Sequence, residues 1–347
     1  MTDYRVVAEY IWLDSNDSFR SKTMVFCCSQ NPFEKCKHKS DALWLKEWQY
    51  DGSSTGQAKI GNDTEVKLTP VYWCYDPFRI NMMQKNPQHA GTLCILVLCE
   101  NNSNSKSMRE YALSSFSKNY DEHPWFGIEQ EYYIVDSATN KPLGGDNVRQ
   151  GEFYCNMGNN RGKHIAEKHL WYCITAELKI CGMNAEVGPA QWEYQIGPCV
   201  GISAGDELLL SRYIMEKIIS ETPGIHITWH PKPWRQFNGS GCHTNFSTRL
   251  MRENKDAMKY IKNSIEQLGK ITHSNNDYYG TDNYLRLTGT HEAPSYKEFT
   301  WGVGTRHTSI RIGNQTSNDG RGYYEDRRPG ANMNPYWVIA QLNNSTL

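Results

Sequence analysis

The sequence has almost no excess of charge of either sign. Its 37 Lys and Arg residues stand against 38 Asp and Glu residues, which gives a formal net charge of -1. No global field therefore favours nucleic acid or an anionic membrane surface. The chain also lacks an apolar run long enough to span a membrane, and nothing repeats at a fixed period, which excludes solenoids and propellers. Any recognition of phosphate groups must therefore be local.

A signal-like leader and a disulfide pattern are absent too. The chain opens without an apolar leader segment. Its eleven cysteines are an odd number, and most stand singly in apolar runs, as Cys94 and Cys99 do. The remaining cluster, Cys27, Cys28 and Cys36, has no second pair at metal-type spacing. This usage indicates buried thiols in a reducing compartment. We expect a soluble cytoplasmic protein that binds neither a membrane nor nucleic acid.

The length and the distribution of patterns indicate two domains. At 347 residues the chain is longer than one average domain. Residues 1–100 contain short aromatic and β-branched segments separated by turn signals, which predicts a strand-rich domain. The polar run 101–107 predicts a linker, and 108–347 mixes helical and strand patterns. We therefore expect an α+β protein with one small and one larger domain.

Three segments of the larger domain carry apolar residues at near-helical spacing. The first ends at Gly182, the third ends at Gly269, and Asp206 is a candidate N-cap for the second. These stripes indicate core packing, and we assign them no chemistry. The predicted helices cover 161–180, 206–220 and 257–268.

The segment Gly127–Val135 predicts a strand with two acids on one face. Successive side chains of a strand point to opposite faces, so Glu129 and Glu131 share a face while Gln130 takes the other. Two carboxylates side by side repel each other and resist burial. A bound cation is the simplest stabilising partner, and an edge strand with a solvated face is the alternative.

Further acids and one histidine stand in similar aromatic strand contexts. Alternation puts Glu193 on the polar face of a half-buried strand, and it puts His243, Asn245 and Ser247 on one face of another. Oxygen-dominated ligands suit Mg²⁺ or Mn²⁺ rather than zinc. Six protein ligands are more than one magnesium ion uses, so we expect two or three ions. The candidate metal ligands are Glu129, Glu131, Glu186, Glu193, His243 and Glu325.

Arginines are concentrated towards the C-terminus, in segments rich in glycine and aromatic residues. The guanidinium fork matches carboxylate and phosphate oxygens, although surface charge is the usual role of an arginine. Strict alternation puts Arg306 and Arg311 on opposite faces, so either a bulge intervenes or the two have different roles. Gly302 and Gly304 do not fit the G-x-G-x-x-G spacing of dinucleotide sites. The arginines concerned are Arg286, Arg306, Arg311, Arg327 and Arg328.

Taken together, these motifs resemble glutamine synthetase of the eukaryotic (class II) type. The resembling segments follow the family's order from the first domain almost to the C-terminus. They are Tyr50–Thr55, Asp76–Arg79, His123–Tyr132, Asn184–Val187, Gln191–Pro198, Asn238–Ser247, Arg286–Glu292, Ser309–Ile312 and Tyr324–Pro329.

The resemblance implies a small N-terminal β-grasp domain and a catalytic domain with a curved antiparallel sheet flanked by helices, the glutamine synthetase fold. It implies a homo-oligomer of two stacked pentameric rings, a decamer, with each active site between neighbouring subunits. The implied reaction is the ATP-dependent ligation of ammonia to L-glutamate. It gives L-glutamine, ADP and phosphate through γ-glutamyl phosphate, with two to three Mg²⁺ or Mn²⁺ ions at each site.

The resemblance also implies a role for each matching residue. The metal nearer glutamate would be held by Glu131, Glu186 and Glu193. The metal that bridges the ATP phosphates would be held by Glu129, His243 and Glu325. Glutamate would be bound by Asn238, Gly239, Arg286, Arg306 and Arg327, the last of which also faces the transferred phosphate. The nucleotide would be bound by Asn245, Ser247, Arg311, Tyr323 and Arg252.

Two further acids are implied in catalysis beside Arg327. Asp51 matches the residue that holds ammonium and takes its proton, from the neighbouring subunit, although an Asp-Gly pair read alone indicates a turn. Glu292 matches the flap that closes over the intermediate and excludes water. One alternative is a relative that ligates a larger amine to glutamate. The other is a non-catalytic structural member, which should have lost ligands, whereas all six metal positions are intact.

Overall fold

The computed structural model describes residues 4–29, 32, 39–84, 91–103, 107–145, 151–156, 158, 160–271, 277–290 and 293–347. The chain forms two compact units. The first comprises Met1–Ser107 with Trp171–Leu178, and the second comprises Met108–Leu170 with Lys179–Leu347. Among the described residues, none of the helices has the length and apolar character that a membrane crossing requires.

The first unit is built on a five-stranded sheet in the order β2-β1-β5-β4-β3. The central strands β1 and β5 run parallel, and the other neighbours are antiparallel. Alternate residues of these two strands, including Val6, Tyr10 and Ile95, form its buried core. This arrangement agrees with the predicted β-grasp domain. Its elements are β1 (Tyr4–Leu13), β2 (Phe19–Cys28), β3 (Trp48–Asp51), β4 (Glu65–Tyr75), α1 (Pro77–Gln84) and β5 (Thr92–Asn101).

The second unit contains a nine-stranded sheet in the order β12-β13-β14-β11-β6-β9-β8, with β7 and β10 also paired to β6. The strands are β6 (Trp125–Asp136), β7 (Lys141–Pro142), β8 (Ile180–Ala185), β9 (Gln191–Val200), β10 (Ile225–Thr228), β11 (Cys242–Ser247), β12 (Trp301–Val303), β13 (Ile310–Ile312) and β14 (Tyr324–Asp326).

This sheet is antiparallel, as predicted, except at one pair. Strands β12 and β13 run parallel. The connection between them returns along β12, because Gly304 adopts a left-handed φ of 65° and Ile310 N donates to Thr300 O at 3.0 Å. The chain therefore enters β13 beside the start of β12.

The described residues from Met108 onwards contain seven further α-helices. They are α2 (Met108–Phe116), α3 (Lys163–Thr175), α4 (Ser203–Ser220), α5 (Arg249–Glu253), α6 (Ala257–Ile271), α7 (Asn314–Asp319) and α8 (Pro335–Asn344). Helix α4 covers one face of the sheet, where the Tyr194 hydroxyl lies 3.0 Å from Ser211 Oγ. The opposite face is left for polar residues.

The three predicted helices exist, but their ends differ. The first stops at Thr175 instead of Ile180, because Glu177 takes a left-handed φ of 57° and the chain turns into β8. The second begins at Ser203, so Asp206 is not its cap. Asp206 is buried and accepts hydrogen bonds from Arg109 Nε (2.8 Å) and the Tyr336 hydroxyl (2.6 Å).

The third predicted helix continues past Gly269 to Ile271. A Cβ at Gly269 would lie 2.6 Å from Phe299 Cδ1. This glycine therefore makes room for an aromatic ring and does not end the helix.

Candidate active site

The sheet register brings the predicted ligands onto one face. His243 in β11 stands opposite Glu129 in β6, and Glu131 stands opposite Glu193 in β9. Glu325 in β14 is the neighbour of Asn245 in β11. Side chains of directly paired residues point to the same side of a sheet. The prediction that Glu129 and Glu131 share a face is therefore correct, and the neighbouring strands β9, β11 and β14 supply the rest of that face.

These side chains line a cavity of about 280 Å³ in the second unit. The lining contains all six candidate metal ligands and all five residues predicted to bind glutamate. It also contains eight residues to which the sequence assigns no role. They are Tyr154, Asn184, Val187, Gln195, Lys232, Thr288, Thr290 and Ala293.

The tightest group in this cavity is Glu129, His243 and Glu325, whose ligand atoms all lie within 4.8 Å of one another. His243 Nδ1 lies 3.7 Å from Glu129 Oε2 and 3.5 Å from Glu325 Oε1. Burial, together with the charge of Arg327, holds the pKa of His243 well below its usual value. The imidazole is therefore neutral at neutral pH, which is the form that binds a metal.

A second group consists of Glu131, Glu186 and Glu193. Burial raises the pKa of all three carboxyls, and the charge of Glu186 adds to the effect on Glu131. Within the described part of the chain, the first group alone has three ligand atoms within 4.8 Å of one another. Buried acids that repel one another are stabilised by a divalent cation, so the donor set fits Mg²⁺ or Mn²⁺.

Amide side chains hold these acids in place. Gln191 Nε2 and Gly241 N donate to Glu131 Oε2 at 3.0 and 3.1 Å. Asn184 Nδ2 donates to Glu186 Oε1 at 3.1 Å, and Gln195 Nε2 donates to Glu193 Oε1. Gln191 and Gln195 stand two residues on either side of Glu193, so the alternation that places Glu193 also places both amides.

Two arginines, Arg327 and Arg311, contact Glu325 of the first group. Arg327 Nη1 donates to Glu325 Oε1 at 2.5 Å, and Arg311 Nη1 lies 3.3 Å from Glu325 Oε2. Arg306 also lines the cavity, although alternation separates it from Arg311. It can do so because it lies in the connection between β12 and β13 and not on a strand. Arg328 has a different role, since it is fully buried and pairs with Asp326 at 2.7 Å.

The predicted glutamate-binding segment packs closely against Arg286. The Tyr133 hydroxyl donates to Asn238 O at 2.8 Å, and Gln191 Nε2 donates to Gly239 O at 3.0 Å. A Cβ at Gly239 would lie 2.4 Å from Arg286 Cγ. Arg286 Nη2 in turn donates to the carbonyl of Arg328 at 2.7 Å. Burial lowers the pKa of Arg286 to about 10.

The predicted nucleotide-binding residues are only partly brought together. Asn245 Nδ2 donates to Glu129 Oε1 at 2.8 Å, and Arg311 lines the cavity. Ser247 and Arg252 lie outside that lining, where Arg252 Nη1 donates to Ser247 Oγ at 3.0 Å. Tyr323 is half exposed and lies outside it as well. The assignment of these three to the nucleotide stays a prediction.

Comparison with known proteins identifies the family. Residues 107–347 match the family described as glutamine synthetase, catalytic domain. The chain belongs to the glutamine synthetase family. The glutamine synthetase of Saccharomyces cerevisiae is 40% identical over 343 residues, which cover 96% of this chain and 87% of that one. The glutamine synthetase nodule isozyme of Lupinus luteus is 41% identical over 361 residues, covering 100% and 96%. These matches confirm the resemblance found in the sequence.

The fold of a glutamine synthetase is also confirmed by a solved structure. The cryo-EM structure of Plasmodium falciparum glutamine synthetase matches with a TM-score of 0.70 and 15% sequence identity. The match covers 99% of this chain and 71% of that one. The α+β fold predicted from the sequence is therefore correct.

Asp51, which has a predicted catalytic role in a glutamine synthetase, is not among the residues that line the cavity. Asp51 belongs to the first unit, where it is exposed at the end of β3. Its carboxylate accepts hydrogen bonds from Ser53 N (3.1 Å), Ser53 Oγ (2.7 Å) and Ser54 Oγ (2.8 Å). These bonds, first of all that of the Ser53 hydroxyl, lower the pKa of Asp51. Glu292 lies outside the described residues.

Lys232 is a lining residue that no sequence pattern identified. Its ammonium donates to Phe237 O at 2.7 Å, just before the Asn238–Gly239 segment. Burial and the charge of Arg286 lower its pKa. The contact depends on how the loop folds back on itself, and the sequence does not show that.

Proposed function

We propose that this chain catalyses the ATP-dependent ligation of ammonia to L-glutamate. The products are L-glutamine, ADP and phosphate, and the intermediate is γ-glutamyl phosphate. The observation that carries this proposal is the single cavity in which carboxylates and an imidazole from four adjacent strands face a set of arginines. Membership of the glutamine synthetase family supports the choice of reaction.

The two acidic groups would hold divalent ions, Mg²⁺ or Mn²⁺, two to three in each site. Glu129, His243 and Glu325 would bind one ion, and the group of Glu131, Glu186 and Glu193 would bind another. When bound, these ions offset the negative charges of ATP and glutamate and activate the terminal phosphate for transfer. Their donor atoms are mostly carboxylate oxygens, as hard cations require.

The arginines would bind and orient the two anionic substrates. Arg286 and Arg306 would bind glutamate with Asn238 and Gly239. Arg327, beside Glu325, would also face the phosphate in transfer. A carboxylate is a poor electrophile, so its phosphorylation is needed before an amine can attack it. Positive charge held in a partly buried cavity stabilises the developing negative charge of that step.

The second step needs a group that binds ammonium and takes its proton. Asp51 would do this, since three hydrogen bonds keep its carboxylate ionised. Glu292 would act as the flap that excludes water. We include in the proposal a homo-oligomer of two stacked rings, a decamer, in which Asp51 of a neighbouring subunit completes each site.

The domain limits and the compartment are part of the same proposal. A β-grasp domain would span 1–100, a linker 101–107 and the catalytic domain 108–347. Every cysteine that the structure describes is a free thiol, and six of them are buried. This pattern supports a reducing compartment, the cytoplasm.

Phosphate release by the purified chain tests the reaction. We expect release from ATP only when glutamate, ammonium and Mg²⁺ or Mn²⁺ are all present. Robust release without ammonium would contradict the proposal. The γ-glutamyl transfer reaction tests the amine step, and the mass of the native assembly tests the ring assembly.

A further inference from the structure

A buried arginine lies on the face of the sheet away from the cavity. Arg212, in α4, is only 7% exposed. Its Nε donates to Gln130 Oε1 at 2.8 Å, its Nη1 to Met333 O at 3.0 Å and its Nη2 to Ala331 O at 2.9 Å. All three guanidinium nitrogens therefore bind, Nε to β6 and both Nη atoms to the segment 331–333.

Two partners of Arg212, Gln130 and Cys242, are next to residues of the candidate site in the sequence. Gln130 stands between Glu129 and Glu131, and it pairs across the sheet with Cys242, the neighbour of His243. Gln130 Nε2 donates to Glu131 O at 2.9 Å and to Ala331 O at 3.0 Å. Arg212 Nη2 also lies 3.8 Å from Cys242 Sγ.

The third stretch follows β14, the strand that carries Glu325. Residues 329–333 continue from it, and Cys242 N donates to Pro329 O at 2.9 Å. One buried side chain thus connects β6, β11 and the segment after β14. Strand β6 supplies Glu129, β11 supplies His243, and the third segment follows the strand that supplies Glu325.

The set of hydrogen-bond acceptors around the charged Arg212 guanidinium is also unusual. None of the hydrogen-bond acceptors that the described residues offer it is a carboxylate. Glu216, one turn further along α4, accepts its bond from Trp229 Nε1 at 3.0 Å instead. A buried guanidinium with only neutral acceptors is costly unless negative charge lies nearby. Glu216 supplies such a charge, since Arg212 is among the groups that lower the pKa of Glu216 against the raising effect of burial.

We propose that Arg212 is a positioning residue for the cation site. Its hydrogen bonds fix the relative placement of β6, β11 and the segment after β14. The inference rests on the proposed function, because it takes Glu129, His243 and Glu325 as cation ligands. The role requires an arginine, since a lysine ammonium lacks a planar fork of donors that can bind several segments at once.

The test measures Mn²⁺ binding to the full chain by the paramagnetic resonance of the free ion. We expect R212K and Q130M to weaken binding about 10–100-fold, as loss of residues that orient metal ligands does. The double variant should bind Mn²⁺ as tightly as the single variant of lower affinity, because both substitutions remove the same contact. The half-saturating Mn²⁺ concentration for activity should rise in parallel, while the KM for ammonium stays unchanged.

The matched control is R109K. Arg109 is another buried arginine of the second unit, and it pairs with Asp206 at 2.8 Å. This variant should lower the melting temperature and leave Mn²⁺ affinity unchanged. The inference is overturned if R212K and Q130M fold and bind Mn²⁺ as the unmodified chain does, or if R109K weakens binding equally. If R212K does not fold, Q130M decides. If the unmodified chain binds no Mn²⁺, the proposed function itself fails.

Discussion

Glu131 is a buried carboxylate surrounded by other carboxylates. It is 7% exposed, and its Oε2 accepts bonds from Gln191 and Gly241. Burial and the charge of Glu186 raise its pKa to about 8. The same residue that would bind a cation in the working enzyme is therefore unfavourable as an ion when no cation is bound.

This conflict predicts how stability depends on pH. Because the folded pKa of Glu131 exceeds the ordinary value of 4.5, the metal-free folded chain binds more protons than the unfolded chain between about pH 4.5 and about pH 8. The free energy of unfolding should therefore fall as the pH rises through that window. Thermal melts in a chelator should show the fall, and E131Q should reduce it. Mg²⁺ should oppose this fall, because Mg²⁺ at one hundred times its Kd raises the free energy of unfolding by about 2.7 kcal/mol. An equal fall in E131Q would contradict the assignment.

Asp51 supports a second prediction at this scale. D51A should raise the ammonium requirement and lower kcat/KM for ammonium by about 10²-fold or more, since a general base is lost. ATP affinity should be almost unchanged. The control is E65A, because Glu65 is an exposed carboxylate that pairs with Asp51 across β3 and β4. Initial rates at varied ammonium decide the matter, and an ammonium dependence unchanged in D51A would reject the role.

Among the structural elements, strand β6 has candidate metal ligands on one face and a supporting amide on the other. Glu129 and Glu131 face the cavity, whereas Gln130 faces Arg212. This separation could be predicted from the sequence because strand alternation is a local property. The pairing of β6 with β9 and β11 could not, because register depends on contacts distant in sequence. For that reason the roles of Gln191 and Gln195 were missed.

Loops and element ends were the least predictable parts. Arg306 reaches the same cavity as Arg311 because it lies in a loop, where alternation does not apply. The first predicted helix was too long because Leu178 continues the apolar spacing of Ile174 after the left-handed turn at Glu177. Periodicity detects a buried face, but it does not detect a turn that interrupts the helix.

The loop before β11 gives a prediction at the scale of the element. In G239A the added Cβ would meet Arg286 Cγ and Pro231 O, each at 2.4 Å. Pro231 O is backbone and cannot move far, so we expect a loss of about 1–3 kcal/mol of stability and a raised KM for glutamate. The control is G313A, since nothing lies within 4 Å of a Cβ at Gly313. Unchanged glutamate KM in G239A would contradict the placement of glutamate beside this loop.

At the scale of the whole molecule, charge is balanced overall and separated locally. The net charge of -1 conceals a cavity that several acids, one histidine and several arginines line together. Composition therefore predicts no global field, and it carries no information about the site. The resemblance of motifs to the glutamine synthetase family supplied the fold, which the structural comparison confirms. It could not supply hydrogen bonds such as those of Arg212 and Lys232, because these depend on side chains packed in three dimensions.

The division of the candidate residues between two compact units predicts an outcome for mixed assemblies. Asp51 belongs to the first unit and Arg327 to the second. If each site takes Asp51 from a neighbouring subunit, then D51A and R327A should each be nearly inactive alone. A ring assembled from both should regain activity, because some interfaces combine an intact Asp51 with an intact Arg327. The two variants, differently tagged, are co-expressed, purified through both tags and assayed for glutamine formation. The control is a co-assembly of D51A with D51A/R327A, which leaves every Asp51 mutated. Mixed rings as inactive as this control would show that each subunit uses its own Asp51 or none.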